Sequence, residues 1–232
     1  MNYNNGPKTI TENLRMHLDA GFTKSYPETG NMWRDLTKNG FNVTLSGGWS
    51  FTDKSISANS ANAYGIGGVT TQIIPVGQND VTIEAWLKFT STSSNGYLVQ
   101  LKRDLTNAST WITIRLNGIS TGDLSILRRN AADSAHIDIA KPNSNDGLWH
   151  HIVGTFSNSY AGVYVDGELV GEDNEGLQAL AIDTLPITFF GTNVATGNPT
   201  IANIAILKLY NKTLSKEEVV QNYNVLKGRF GK

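Results

Sequence analysis

Carboxylates and histidines are the side chains with which this chain could do chemistry, and their spacing limits what that chemistry is. Hydrolysis of a glycosidic bond takes two carboxyl groups about 5 to 9.5 Å apart flanking a sugar ring. Acids at i and i+2 or i+4 on one strand would supply them. The strongest strand-like segment carries Glu84 alone. The acidic group Glu172, Asp173 and Glu175 follows a hairpin in a Gly- and Asn-containing stretch, where a solvated loop is expected. His150 and His151 are adjacent, so on a strand they leave by opposite faces and cannot share one ion. A structural role is expected of both, and His17 and His136 stand isolated. There is no H-E-x-x-H, no G-x-S-x-G and no phosphate-cradling glycine loop. Gly65-Ile66-Gly67-Gly68 reads instead as a bend or a place of close strand packing. No Cys is present, which removes thiol nucleophiles, disulfides and Cys-based zinc sites without locating the protein. No catalytic, cofactor-binding or metal-binding residue is therefore assigned, and the chain is expected not to be an enzyme. Calcium, which gathers about six to eight oxygens, is the one cofactor left open. Asp19, Asp35 and Asp53 lie in the first loops, but nothing local forms a dense ligand loop.

Binding is the other class of function. A net charge of −1 gives no global field for phosphates. Lys102, Arg103, Arg115, Arg128 and Arg129 share one stretch but are interleaved with apolar residues and offset by Asp104 and Asp123. A solvated sheet face is expected there, and no nucleic-acid partner. Trp86, Trp111 and Tyr160 could stack on sugar rings while loop Asn and Asp residues bind hydroxyls. The same aromatics could equally be core or rim packing, since aromatics dominate buried area. The opening MNYNNGPKTITENLRM has neither a basic n-region nor an apolar h-region, so no secretory signal peptide is expected. No apolar run approaches the roughly 18 residues of a membrane span; a soluble chain without a membrane partner is expected.

The elements that must position these residues read as strands. At 232 residues with 39% hydrophobic content, the chain suits one all-β domain, a class that runs to about 250 residues as a single unit. From Asp80 to Thr90, Val81, Ile83, Ala85, Leu87 and Phe89 alternate with Thr82, Glu84, Trp86 and Lys88. This is the period of a half-buried strand with Trp86 facing outward. Further strands are expected over 14–18, 41–45, 97–102, 110–116, 123–128, 136–140, 149–156, 161–165, 168–170, 187–190 and 201–210. Asp166-Gly167 is a two-residue hairpin signal, and Asn39-Gly40, Asn117-Gly118 and Asp146-Gly147 mark further turns. One helix is expected, capped by Ser215 with Glu218 three residues on, carrying Val219, Val220, Tyr223 and Leu226 as its apolar stripe and ending at Gly228. The sum is an all-β, two-sheet antiparallel jelly-roll sandwich with one short C-terminal helix. Residues 1–12 form an N-terminal arm, and 13–232 the domain.

Four blocks in order resemble the laminin-G-like domains of the concanavalin A-like lectin/glucanase superfamily. They are Leu18-Asp19-Ala20-Gly21 with Ser25-Tyr26-Pro27 and 33–40; Val81 to Leu87; 148–156 running into 163–170; and 201–211 followed by 214–218 and 221–224. The opening block and the ending Asn222-Tyr223-Asn224 through Lys227-Gly228-Arg229-Phe230-Gly231 are most similar to the version in structural proteins of tailed bacteriophages. The resemblance implies a non-catalytic adhesive module in a capsid decoration, tail fibre or surface protein. The resemblance thus implies a virion structural protein, and because the chain has no heptads or shaft repeats, a capsid-decorating or appendage subunit is expected ahead of a long tail fibre. Expected partners are other virion proteins such as the major capsid protein, with homo-oligomers on the particle and the arm docking on a neighbour by edge pairing. A carbohydrate-binding lectin or tail-fibre module that takes a cell-surface glycan is the alternative. Many relatives carry an acidic pair that would help hold calcium where this chain has Ala61-Asn62-Ala63, within Ser57 to Tyr64; the resemblance thus weakens calcium-dependent recognition.

Overall fold

A computed structural model describes residues 7–58, 63–75, 78–90, 96–102, 111–117, 120–129, 136–174, 186–190 and 202–232. In chain order the strands are β1 (Leu14–Asp19), β2 (Met32–Trp33), β3 (Val43–Ser46), β4 (Trp49–Thr52), β5 (Ser55–Ala58), β6 (Tyr64–Val69), β7 (Val81–Lys88) and β8 (Gly96–Lys102). They continue with β9 (Trp111–Leu116), β10 (Leu124–Arg129), β11 (His136–Lys141), β12 (His150–Phe156), β13 (Ala161–Val165), β14 (Glu168–Asp173), β15 (Pro186–Phe189) and β16 (Asn203–Tyr210). A short helix, α1 (Thr70–Ile73), follows β6, and the C-terminal helix is α2 (Lys216–Leu226).

The strands form two antiparallel sheets, as alternation and turn spacing indicate. One runs β14-β13-β12-β7-β16-β5-β4, and β1 also pairs with β16. The far edge of β16 is divided: β5 takes Asn203 and Ile204, and β1 takes Ile206 to Tyr210. The other sheet runs β11-β10-β9-β8-β15-β6-β3-β2. Between them lies one apolar core that includes Ile83, Ala85 and Leu87 of β7, Ile126 of β10 and Phe189 of β15. The expected strands all appear, with ends shifted by no more than three residues. The hairpin at Asp166-Gly167 has both residues at positive φ, 53° and 81°, as a primed turn demands.

Strands β2, β4, β5 and β6 were not legible as strands, and β6 shows why. Its glycines suppress the alternation, yet they are what the packing needs. A Cβ on Gly67 would lie 2.5 Å from the Asn42 carbonyl oxygen, and one on Gly65 would lie 2.8 Å from Val43 Cγ1. Gly67→Ala should therefore cost about 1–3 kcal/mol through overpacking of β3 against β6. Urea unfolding checks this, and a change within error of zero would refute the close packing.

The β7 strand departs from the half-buried pattern. Thr82, Glu84 and Trp86 on its outer face are as fully buried as the core-facing residues, because the C-terminal segment lies over them. Trp86 is thus not an outward-facing aromatic. Ser215 caps α2 through a complete capping box with Glu218. The helix does not end at Gly228: α2 closes at Leu226 and gives way to a 3-10 turn, Lys227–Phe230, which ends at Gly231 in the left-handed conformation (φ 73°). Continuing past Gly228 carries Phe230 onto the Trp86 ring, with centroids 4.1 Å apart. Within the segment read as an arm, Lys8 to Glu12 run beside α2. Gln221 Nε2 donates to the Lys8 carbonyl (2.7 Å), Ile10 N donates to Asn222 Oδ1 (2.7 Å), and Lys212 pairs with Glu12 (2.7 Å).

Candidate functional site

Glu84 is the natural first place to look for chemistry. It sits at the middle of β7, fully buried beneath α2. Oε1 accepts from Lys208 Nζ at 2.9 Å, and Oε2 accepts from Asn222 Nδ2 at 2.7 Å and from the Tyr210 hydroxyl at 3.1 Å. His151 Nε2 lies 3.3 Å from Oε1 without hydrogen-bond alignment. Burial alone would raise the Glu84 pKa, but Lys208 and the surrounding donors overcome it and hold the carboxyl well below the ordinary range. Burial, followed by the nearby Glu84 charge, pushes the Tyr210 hydroxyl far up. A general acid in glycoside hydrolysis needs a raised pKa and access to the leaving group. Glu84 has neither; it serves as the counter-charge of Lys208.

The remaining sequence candidates are dispersed. Glu172 and Asp173 lie in β14 and not in a loop, because the β13–β14 pairing continues to Ala161↔Asp173; Glu175 lies outside the described residues. His150 bonds Asp166 (2.9 Å) through Nδ1 and Asp146 (3.1 Å) through Nε2, tying the turn before β12 to the β13–β14 turn. His151 faces the other way, against Trp86 and Tyr223. His17 lies partly buried in β1, and burial, reinforced by Lys208, lowers its pKa to about 4. The side chain of His136 lies outside the described residues. Asp19 is clamped by Arg229 at 2.7 and 2.8 Å. Asp35 accepts from His17 N, Thr37 N and Phe41 N, and Asp53 sits in the β4–β5 turn at φ 50°. These three acids are not brought together, and among the described residues no group of three or more His, Cys, Asp or Glu could hold a metal.

The basic stretch is not the solvated face expected from sequence. Arg115 is buried beside Asp138, with which it pairs. Arg128 is buried with its guanidinium on the Ser157 carbonyl, and that burial lowers its pKa to about 10. Both are drawn inward where an oxygen receives the guanidinium. Arg103 and Asp104, with the side chains of Lys102 and Arg129, lie outside the described residues.

Stability at this end of the domain should follow the His150 charge. Its hydrogen bond to Asp166 raises its pKa above the ordinary 6.5, against the opposing effect of burial. Asp166, which burial alone would raise, is brought down to about 2 by His150, Lys232 and the His151 N–H. A raised native pKa means that the stabilisation is complete below pH 6.5 and fades as pH rises through the native value. The stability difference between the wild type and His150→Gln should therefore be full below pH 6.5 and shrink as pH rises above it. Parallel urea titrations measure it, and a difference that grows with pH would contradict the assignment.

Of the aromatics considered for sugar stacking, Trp86 is covered by Phe230 and Tyr223. Tyr160 is half-buried against Gly162, its hydroxyl 3.4 Å from that of Tyr164, and the Trp111 side chain lies outside the described residues. What sequence reading missed is an open depression of about 250 Å³ at the end of the first sheet, lined by Lys88, Phe89, Thr90, Gly147 and Asn203. Trp149 adjoins it with the Lys88 ammonium 5.1 Å above its ring, and neighbouring Leu148 is 59% exposed. An ammonium, a carboxamide, a hydroxyl and apolar surface converging on one hollow can hold a small polar ligand. The signal was present in the outward parity of Lys88 and in the apolar pair following Asp146-Gly147, but Trp149 read as a strand start.

Comparison with known proteins agrees with this architecture. Among solved structures, the botulinum neurotoxin serotype D binding domain superposes with a TM-score of 0.67 at 14% identity, covering 93% of this chain and 52% of that one. The binding domain of Paraclostridial mosquitocidal protein 1 gives 0.67 at 18% identity, covering 92% and 52%. A serotype D ligand-binding domain in complex with N-acetylneuraminic acid gives 0.68 at 14%, covering 93% and 52%. The chain spans about half the length of these structures, and at such identities the likeness is one of fold. No curated protein matches the chain. The laminin G-type family model, described as the concanavalin A-like lectin/glucanases superfamily, matches residues 62–220. By that match, and by the two-sheet sandwich that carries it, the chain belongs to the concanavalin A-like lectin/glucanases superfamily.

Proposed function

We propose that this domain is a non-catalytic recognition module that binds a saccharide-bearing surface. The observation that carries the reading is the division of its polar groups. Glu84, the carboxylate best placed on the sheet for chemistry, is sealed and saturated, whereas the convergent polar groups at the sheet end lie open to solvent. The sandwich belongs to a lectin-type superfamily, and two solved structures of similar fold are complexes, one with N-acetylneuraminic acid and one with SialylT. A glycan array probed with the whole chain, in calcium and in chelator, tests this. Saturable binding to a subset of glycans, unchanged by chelator, is expected; an array with no saturable signal would refute it.

A second reading places the domain in a virion, as a capsid-decorating or appendage subunit of a tailed bacteriophage that contacts the major capsid protein and its own copies. It is supported by the two blocks most similar to phage structural proteins, which meet in space: Arg229 of the closing block clamps Asp19 of the opening block at 2.7 and 2.8 Å. The two halves of the resemblance are thus one clasp. In this reading residues 1–12 are the arm, with Lys8 to Glu12 anchored along α2 as part of the surface that meets a neighbour, and 13–232 are the domain. Mass spectrometry of purified particles should find the chain in stoichiometric amount with a major structural protein. Its absence, or presence only in traces, would sink the virion role and leave the saccharide reading intact.

A further inference from the structure

We propose that the depression at the end of the first sheet is the saccharide site and that it selects sugars bearing a carboxylate; this rests on the saccharide-binding reading above. The outer face of β7 is roofed by the C-terminal segment only as far as Trp86, on which Phe230 lies. Lys88, two residues on and of the same parity, emerges where the roof ends. It is the register partner of Asn203, the first residue of β16, and the sheet stops there. Across the gap Gly147 N donates to the Phe89 carbonyl at 3.1 Å, which fixes the turn carrying Leu148 and Trp149 against the end of β7.

The chemistry of the hollow follows from these placements. The Lys88 ammonium is held over the Trp149 ring, an attraction that steadies a cation without neutralising it. Among the described residues it forms no ion pair. A flexible lysine ordinarily loses rotamer freedom when fixed; here the ring has already restricted it, which lowers the entropic penalty when an anion arrives. Asn203 uses Nδ2 to donate to Ser55 Oγ at 3.2 Å, which orients its carboxamide at the rim. Exposed Leu148 offers an apolar surface to the C–H face of a sugar. At about 250 Å³ the hollow is smaller than the roughly 300 Å³ at which pockets enclose drug-sized ligands, which suits one sugar ring and its acidic group. One cation with polar and apolar neighbours fits an acidic monosaccharide unit; a polyanion would call for several cations.

Calorimetric titration of the whole chain with 3′-sialyllactose, with a glucuronic acid-containing oligosaccharide and with neutral lactose tests the site. At least one acidic probe should bind about tenfold or more tightly than lactose, the scale of one charge-assisted hydrogen bond. Lys88→Gln and Asn203→Asp should each remove that preference at an unchanged melting temperature, whereas Lys38→Gln, remote from the hollow, should leave it intact. If either replacement lowers the melting temperature, chemical-shift mapping of the wild type with the acidic probe decides instead, with shifts at Lys88, Thr90, Gly147 and Asn203 expected. Acidic and neutral probes binding alike, acid-selective binding insensitive to Lys88→Gln, or shifts elsewhere would overturn this site while leaving saccharide binding standing. Failure of every glycan, on the array and in titration, would overturn both.

Discussion

Replacing Glu84 by Gln should destabilise the domain by about 3–5 kcal/mol, the scale seen when one member of a buried ion pair is removed. Gln keeps the size of the side chain and could keep a hydrogen bond from Asn222. It leaves the Lys208 ammonium, fully buried 2.9 Å from the present carboxylate, with no counter-charge. A buried ammonium without a partner must shed its proton or draw in water, and either weakens the packing of α2 over β7 and β16. Changing Lys208 to Met in the same chain should recover most of the loss, because replacing both charges by groups of similar shape removes the desolvation penalty along with the attraction. Urea unfolding of the single and double variants gives the coupling. A single-variant loss below about 1 kcal/mol, or no recovery in the double, would mean that the pair is solvated and Glu84 accessible after all.

Trp86→Ala should cost a similar amount, about 3–5 kcal/mol, as truncating a large core aromatic does. The ring is stacked on Phe230 at 4.1 Å and on Tyr223 at 5.8 Å, both with an interplanar angle of 11°, and is tilted against His151 at 5.0 Å. It is the surface on which the end of the chain is held. Its loss should be felt first there: amide exchange should accelerate across residues 216–231 before the sandwich core opens. An exposed sugar platform would behave oppositely, losing glycan binding at little cost to stability. Hydrogen exchange of the variant separates the two, and unchanged protection of α2 would contradict the stacking.

Much of the fold was legible because it follows local rules. The alternation of Val81 to Leu87, the Asp166-Gly167 turn and the Ser215–Glu218 capping box each require only neighbours in sequence. What escaped depended on contacts far along the chain. Trp86 has the parity of an outward residue, and nothing near it announces that Phe230 will return to cover it. Arg115 and Arg128 look like surface charges until Asp138 and the Ser157 carbonyl are placed beside them. Asn222 lies off the apolar stripe of the helix, yet it is buried and completes the shell around Glu84. Strand β6 was hidden because glycine, which allows the close approach of Asn42 and Val43, carries no alternating signal. The candidate site was hidden for the same long-range reason. Lys88, Gly147 and Asn203 are separated by more than fifty residues at each step and meet only where the first sheet ends.

The most direct test of a binding domain without chemistry is to sediment the chain with a panel of insoluble and bead-coupled polysaccharides, acidic and neutral, and to assay the same tubes for new reducing ends after prolonged incubation. The expected result is saturable retention on at least one acidic polysaccharide with no increase in reducing ends. New reducing ends, or no retention on any member of the panel, would contradict it.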